Sequence, residues 1–257
     1  MMKAFDDFKM TPSFAECALE KAINGVIHKK ATKSRPTLSP SGMGCQRAAA
    51  FKLSGEWCKE EEETYESNLA AEMGTFIHEH IQKFMSTSSI WVDVEEFIKQ
   101  RPELGITINP HQKHGGEISL LFSGYRNGVK VSPPFSFQCD GIVFIDGEYY
   151  IVEIKSESET AWQARTAPNP KHADQATGYA FLYGIRNILW VYASRESFGA
   201  HRKIYYQQVD ERRISSFVEV TRKIEKAVEE NAIQTLPKAK DCRWCAYAEA
   251  CKALDKH

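Results

Sequence analysis

The 257-residue sequence predicts an α/β fold, and three features carry that reading. Residues 138–145 and 148–155 are rich in Ile, Val, Phe and Tyr around Asp146-Gly147, the pattern of two strands joined by a tight hairpin. Two more strand-like runs, 187–194 and 203–209, follow it. Between and around these strands, the apolar residues of 67–85 and 210–231 recur at three and four, as on amphipathic helices.

Taken in order, residues 13–30 predict an opening helix, with Ser13 as its cap and Glu16 completing a capping box. The basic stretch 29–35 leads into 36–45, a loop by its Pro, Ser and Gly content, and a short helix is expected at 46–53. The charge run 59–63 reads as solvated surface. The helix at 67–85 lines up Leu69, Met73, Ile77, Ile81 and Phe84, with His78 beside the stripe and Gly74 one turn earlier. A glycine there weakens the helix and clears space next to the imidazole. Residues 86–116 carry the weakest signal: a short helix at 91–100 and an exposed loop over 101–116, before a strand at 117–123. The polar stretch 156–170 holds two prolines and reads as a mobile loop. Residues 171–184 form a helix ending at a glycine cap, with Gln175 and Tyr179 one turn apart. In the last helix, Ile214, Phe217, Val220, Ile224 and Val228 share a face. Arg195, His201 and Arg202 lie in the turn between the strands 187–194 and 203–209, and His80, His111, His114 and His172 read as surface residues.

Composition narrows the function classes. Hydrophobic residues make up 42% and charged residues 26% of the chain, values ordinary for a soluble protein. The net charge of −1 provides no global basic field, so any nucleic-acid surface must be a local groove. The longest apolar run, 188–193, is far too short to span a membrane. Residues 1–10 have no apolar core and the first arginine is Arg35, so neither a secretory signal nor a transit peptide is expected. Seven cysteines without such a signal point to a reducing, cytoplasmic setting in which thiols stay free or bind metal.

Two groups of residues carry chemistry. Asp140 falls in a strand, where propensity disfavours it. Glu153 and Lys155 leave one face of the next strand while Val152 and Ile154 leave the other. An isolated Glu-x-Lys is most often a solvated ion pair, but with Asp140 one hairpin arm away these charges need each other or a metal. The second group is Cys242, Cys245 and Cys251, whose spacing suits zinc or an iron–sulfur cluster. Cys17, Cys45, Cys58 and Cys139 are the candidates for a fourth ligand. Cys139 is expected in the core, and Cys45 stands in a Gly-rich turn at a helix start.

In this order the residues resemble the iron–sulfur, RecB-like branch of the PD-(D/E)XK nuclease superfamily. That branch includes CRISPR-associated exonucleases, the AddB nuclease domain and the nuclease domain of the eukaryotic Okazaki-fragment helicase–nuclease. The matching positions are Cys45, Gly74 with His78, Asp140, Glu153-Ile154-Lys155, Gln175 with Tyr179, and Cys242/Cys245/Cys251. The long segment between His78 and Asp140 has no obvious parallel, and the proline that precedes the aspartate in the family is absent. The resemblance implies a restriction-endonuclease-like core, a mixed central sheet flanked by helices, with the terminal segments joined at a metal cluster. It implies one nuclease domain over 1–257, in which 36–58 and 237–257 bind the cluster. Implied metal ligands for Mg²⁺ or Mn²⁺ are His78, Asp140, Glu153 and the Ile154 carbonyl, with Lys155 orienting the attacking water. Gln175 and Tyr179 would hold the DNA strand or the lysine. Cys45, Cys242, Cys245 and Cys251 would bind a [4Fe-4S] cluster, with zinc as the alternative. The implied activity is exonucleolytic cleavage at DNA ends or single strands, with a helicase or recombination protein as a candidate partner. A DNA-end trimming nuclease, a non-catalytic DNA-binding module of the same fold and a zinc-dependent regulator are the competing readings.

Overall fold

The computed structural model describes residues 14–34, 36–58, 61–114, 117–126, 129–240, 242 and 245–255, and the backbone alone for 14–15, 61–62, 109–114, 117–126 and 129–133. In chain order its elements are α1 (Phe14–Ile23), β1 (Ile27–Lys29), α2 (Gln46–Ser54), β2 (Glu61–Glu63), α3 (Tyr65–Met85), β3 (Trp91–Val92) and α4 (Val94–Lys99). There follow β4 (Ile106–His114), β5 (Glu117–Arg126), β6 (Val129–Phe137), β7 (Gly141–Ile145), β8 (Glu148–Glu157), α5 (Glu159–Ala164) and α6 (Ala173–Tyr183). The chain continues through β9 (Asn187–Ser194), β10 (Arg202–Gln208), α7 (Glu211–Glu229) and α8 (Ala248–Leu254).

A five-stranded mixed sheet in the order β10-β9-β8-β7-β3 is flanked by helices. β8 pairs antiparallel with β7 and parallel with β9, so its two ladders come from a hairpin and from a crossover. The hairpin turn has Asp146 at φ 49° and Gly147 at φ 85°, the left-handed pair that an Asp-Gly two-residue turn supplies. On one face Ile142, Ile151, Ile188, Trp190 and Tyr192 pack with Ala176, Tyr179 and Tyr183 of α6 and Phe217 of α7. On the other, Val143, Val152, Ile154 and Val191 form a smaller cluster under Ile81 and Met85 of α3 and Trp91. β8 is therefore covered on both sides.

Several expectations are corrected here. α1 stops at Ile23 instead of running to 30, because the chain turns at Gly25 and enters β1. β1 pairs with β2, where Lys29 and Glu63 form an ion pair, so the acidic run is in part a strand. The expected Ser13 cap lies outside the described residues. β3 pairs with β7 before α4 begins, and the loop expected over 101–116 is largely β4, preceded by a buried Leu104. β4, β5 and β6 form an antiparallel three-stranded sheet. β6 carries Pro133 and Pro134, which is tolerable because it is the edge strand of that sheet. Leu38 bonds to its free side, donating to the Pro134 carbonyl (3.0 Å) and accepting from Ser136 N–H (2.8 Å). The loop expected at 156–170 instead prolongs β8 to Glu157 and forms α5, capped by Ser158. Among the described residues no helix is long and apolar enough to cross a membrane.

Candidate active site

The two candidate carboxylates meet because the β7–β8 register pairs Gly141 with Val152, which sets Asp140 opposite Glu153. Asp140 lies just before β7 and is 8% exposed; Glu153 is 2% exposed. Asp140 is held at three points. Its Oδ1 lies 3.2 Å from His78 Nδ1, and its Oδ2 accepts the Ile154 N–H. Its backbone carbonyl accepts a 2.9 Å bond from Gln82 Nε2, and Gln82 is one turn beyond His78 on α3. α3 comes this close because it has glycine at 74: a Cβ there would sit 3.0 Å from Ser156 Oγ, at the far end of β8.

Glu153 is held from the other side of the sheet. Its Oε2 accepts 3.0 Å bonds from Lys155 Nζ and from Gln175 Nε2. Gln175 also donates to the Tyr179 hydroxyl (3.2 Å), which in turn donates to the Gln138 carbonyl. Tyr179 is 4% exposed. In this arrangement half-buried Gln175, backed by Tyr179, orients the Glu153 carboxylate. Ile154 is engaged at Asp140 through its N–H.

Burial alone would push the Asp140 carboxyl up. His78, by hydrogen bond and by charge, with the Ile154 N–H and the Lys155 ammonium, outweighs it and holds the group below its ordinary value. Burial likewise lowers Lys155, but the Glu153 and Asp140 charges and the Glu153 hydrogen bond raise it further than burial lowers it. Asp140 is thus a carboxylate and Lys155 an ammonium at neutral pH. Burial pushes the Tyr179 phenol well above its usual value, so it remains a donor.

The cysteines are a second candidate group. Cys45 caps α2, and its Sγ accepts the Ala239 N–H at 3.4 Å. Cys242 Sγ lies 3.6 Å from the Ala239 carbonyl, and Cys251 sits on α8. Burial raises the Cys245 thiol against a lowering hydrogen bond from the Tyr247 backbone, and Cys45, Cys242 and Cys251 raise it further, so each of the three lies within electrostatic reach of Cys245. Cys58 is elsewhere, with Ser34 Oγ at 3.4 Å and the Tyr247 hydroxyl at 3.7 Å; Cys17 is exposed and Cys139 is in the core.

Sequence reasoning missed Gln82 and Arg47. Gln82 could have been found from its spacing, four residues after His78 on the same helical face. Arg47 binds the Leu236 carbonyl (2.7 Å), the Gln234 carbonyl (2.6 Å), Asp255 and, at 3.7 Å, Cys251 Sγ. Its role needs the tertiary structure, since every partner is far away in sequence. His172, read as a surface residue, is half-buried and stacked on Trp190 and Tyr192. The side chains of His111 and His114 lie outside the described residues.

Among the described residues no three His, Cys, Asp or Glu side chains close around one point as a finished metal site. The donor chemistry nevertheless fits both groups implied by the resemblance. Two buried carboxylates face one ammonium, an excess of negative charge that suits a hard divalent cation. Of the four thiols, Cys45 meets a backbone N–H and Cys251 the Arg47 guanidinium, donors that stabilise thiolate ligands.

No family profile and no curated protein matches the chain. Among solved structures, the crystal structure of SSO0001 is similar over 91% of this chain and 92% of its own, at 15% identity and a TM-score of 0.44. LHK-Exo in complex with dAMP, an alkaline exonuclease from Laribacter hongkongensis, is similar over 78% of this chain and 91% of its own, at 14% identity and a TM-score of 0.45. Rai1 from Scheffersomyces stipitis, in complex with (3'-NADP)+ and calcium ion, covers 82% of this chain and 63% of its own, with 15% identity and a TM-score of 0.27. Likeness at this level leaves the chemistry to be argued from the residues themselves.

Proposed function

We propose that this chain is a Mg²⁺- or Mn²⁺-dependent deoxyribonuclease of the PD-(D/E)XK type, acting on DNA ends or single strands. One observation carries the reading: Asp140 and Glu153 are buried opposite each other, with Lys155 held as an ammonium against Glu153. A core ion pair kept only for stability is a poor use of buried charge, because apolar residues of similar volume often serve as well. Asp140, Glu153 and His78 would hold the divalent ion, which supplies positive charge at the scissile phosphate and makes water a better nucleophile. Lys155 donates to the phosphate or to the entering water and offsets charge as it builds. Its raised pKa suits a donor and not a base. Gln82 fixes the backbone at Asp140 and Gln175 fixes the Glu153 carboxylate, so little reorganisation remains for the transition state.

Cys45, Cys242, Cys245 and Cys251 would hold a [4Fe-4S] cluster with an architectural role, since phosphodiester hydrolysis moves no electron. The test is anaerobic purification followed by incubation with end-labelled DNA and Mn²⁺ or Mg²⁺. Wild type should cleave; Asp140→Asn, Glu153→Gln and Lys155→Ala should each lose roughly 10²-fold or more while still binding DNA. A wild type that binds without cleaving makes this a binding module, and near-normal cleavage by Asp140→Asn refutes the assignment. Iron against zinc content per chain decides the identity of the thiol-bound metal.

A further inference from the structure

Phe198 stands in the turn between β9 and β10 with φ 52° and 63% of its surface exposed. The other described non-glycine residues at positive φ are Asp146 and Asn231, short polar types that tolerate the left-handed region. A phenylalanine there is strained, and at this exposure burial of the ring does little to offset the strain.

The turn is fixed in place. Phe198 N–H donates to the Arg195 carbonyl (2.9 Å), Gly199 N–H to the Ser194 carbonyl (2.8 Å), and Arg202 Nη1 to the Gly199 carbonyl (2.9 Å). It is also tied to the catalytic cleft from two sides. Arg195 donates its backbone N–H to the Glu157 carbonyl (2.9 Å) and its Nη1 to the Ser156 carbonyl (3.1 Å), one residue past Lys155. On the other side, a Cβ on Gly199 would lie 3.0 Å from the Ile77 side chain, one residue before His78. The turn that displays the exposed ring is therefore anchored to the strand that carries Lys155 and packed against the helix that carries His78. Arg195 and Arg202 flank it, each engaging a carbonyl through one nitrogen and carrying further N–H donors that suit phosphate.

We propose that Phe198 is a base-stacking platform for the DNA strand whose phosphate enters the Asp140–Glu153–Lys155 site, with Arg195 and Arg202 contacting neighbouring phosphates. This rests on the nuclease reading and adds to it a contact with the base as well as the backbone. A nucleobase fits the features together: a flat apolar face for the ring, and anionic groups spaced along the same strand for the guanidiniums.

The test measures binding of full-length protein to a fluorescent single-stranded oligonucleotide, in chelator so that the strand stays intact, alongside the same strand made abasic. Phe198→Ala should weaken binding to the normal strand by roughly 5- to 100-fold, and Phe198→Trp should keep it. On the abasic strand, wild type and Phe198→Ala should bind alike. Because alanine is also strained at this φ, Phe198→Asn serves as the second variant. It should lose affinity as alanine does while melting at an equal or higher temperature than wild type. Equal affinity of wild type and Phe198→Asn for the normal strand overturns the proposal, as does an equal loss on the abasic strand. A variant that changes oligomeric state but not DNA affinity overturns it too, since the ring then serves a protein contact. Wild type that neither binds nor cleaves DNA fails the nuclease reading itself, an outcome distinct from cleavage by a wild type indifferent to Phe198.

Discussion

Tyr179→Phe is the sharpest probe of how the site is held. The substitution keeps the ring, and with it the packing beside Tyr183 (ring centroids 6.2 Å apart), and removes one oxygen. That oxygen donates to the Gln138 carbonyl and accepts from Gln175 Nε2 at 3.2 Å, in a residue only 4% exposed. Gln138 and Gln175 are themselves half-buried, and leaving such partners without their bond costs about 1–3 kcal/mol. For a chain of this length, roughly 2–4 °C of melting temperature follows each kcal/mol, so a loss of several degrees is expected. Gln175 keeps its 3.0 Å bond to Glu153 but loses the second anchor of its amide. Catalysis should therefore fall several-fold in kcat with little change in KM. Thermal denaturation followed by circular dichroism, with single-turnover DNA cleavage on the same preparations, measures both. A melting temperature within 1 °C of wild type would show that the Gln138–Tyr179–Gln175–Glu153 chain is not formed, and the account of Glu153 orientation would go with it.

Three more outcomes follow from the structure. His78→Ala should reduce cleavage per folded molecule, with partial recovery at high Mn²⁺; a variant that is only less stable, with unchanged turnover, returns His78 to a structural role. His172 has its pKa pushed down to about 4, first by burial and then by the Lys155 and Arg165 charges. Because the unfolded imidazole takes its proton near the ordinary 6.5, stability should be intact above that pH and decline as pH falls toward about 4. Urea midpoints of wild type should thus drop more steeply over this range than those of His172→Gln, and parallel curves refute the assignment. Cys45→Ser should lower bound metal and melting temperature together; a full complement of four irons in that variant means another cysteine is the ligand.

The strands and helices with strong periodic signals were legible in the sequence, and the reasons are local. Asp146-Gly147 encodes its own turn, and α6 and α7 end or begin at recognisable caps, Gly184 and Asp210. β1, β2 and β6 were not legible because their pairing is supplied from elsewhere. An acidic tripeptide becomes β2 only beside Ile27–Lys29, and the Pro133-Pro134 strand survives only at a sheet edge. The same division runs through the site. Asp140, Glu153 and Lys155 stand out because charge among apolar strand residues is locally anomalous. Gln82 and Arg47 do not, since a glutamine or an arginine on a helix looks solvated until its distant partner is known. Tyr179 shows the intermediate case: its spacing from Gln175 is visible, but its burial, which sets its role, is not.

The two sites are mechanically continuous, which explains why a thiol site and a hydrolytic site would share one chain. Cys45 and Arg47 begin α2, and Arg47 grips the carbonyls of Gln234 and Leu236 and the Asp255 carboxylate from roughly 200 residues away in sequence. Closing a loop of that length removes unfolded-state entropy worth about 4–5 kcal/mol for a single cross-link, an upper guide for a metal staple. α2 packs on α7, α7 packs on α6, and α6 carries Gln175 and Tyr179 to Glu153. Loosening such a staple would therefore free the helices that aim the Glu153 carboxylate. Asp140 is aimed independently, by His78 and Gln82 of α3 on the opposite face of the sheet. Loss of the thiol-bound group should accordingly disturb Glu153 before Asp140. Activity would fall by misalignment of one carboxylate while the His78–Asp140 half of the site stays in place.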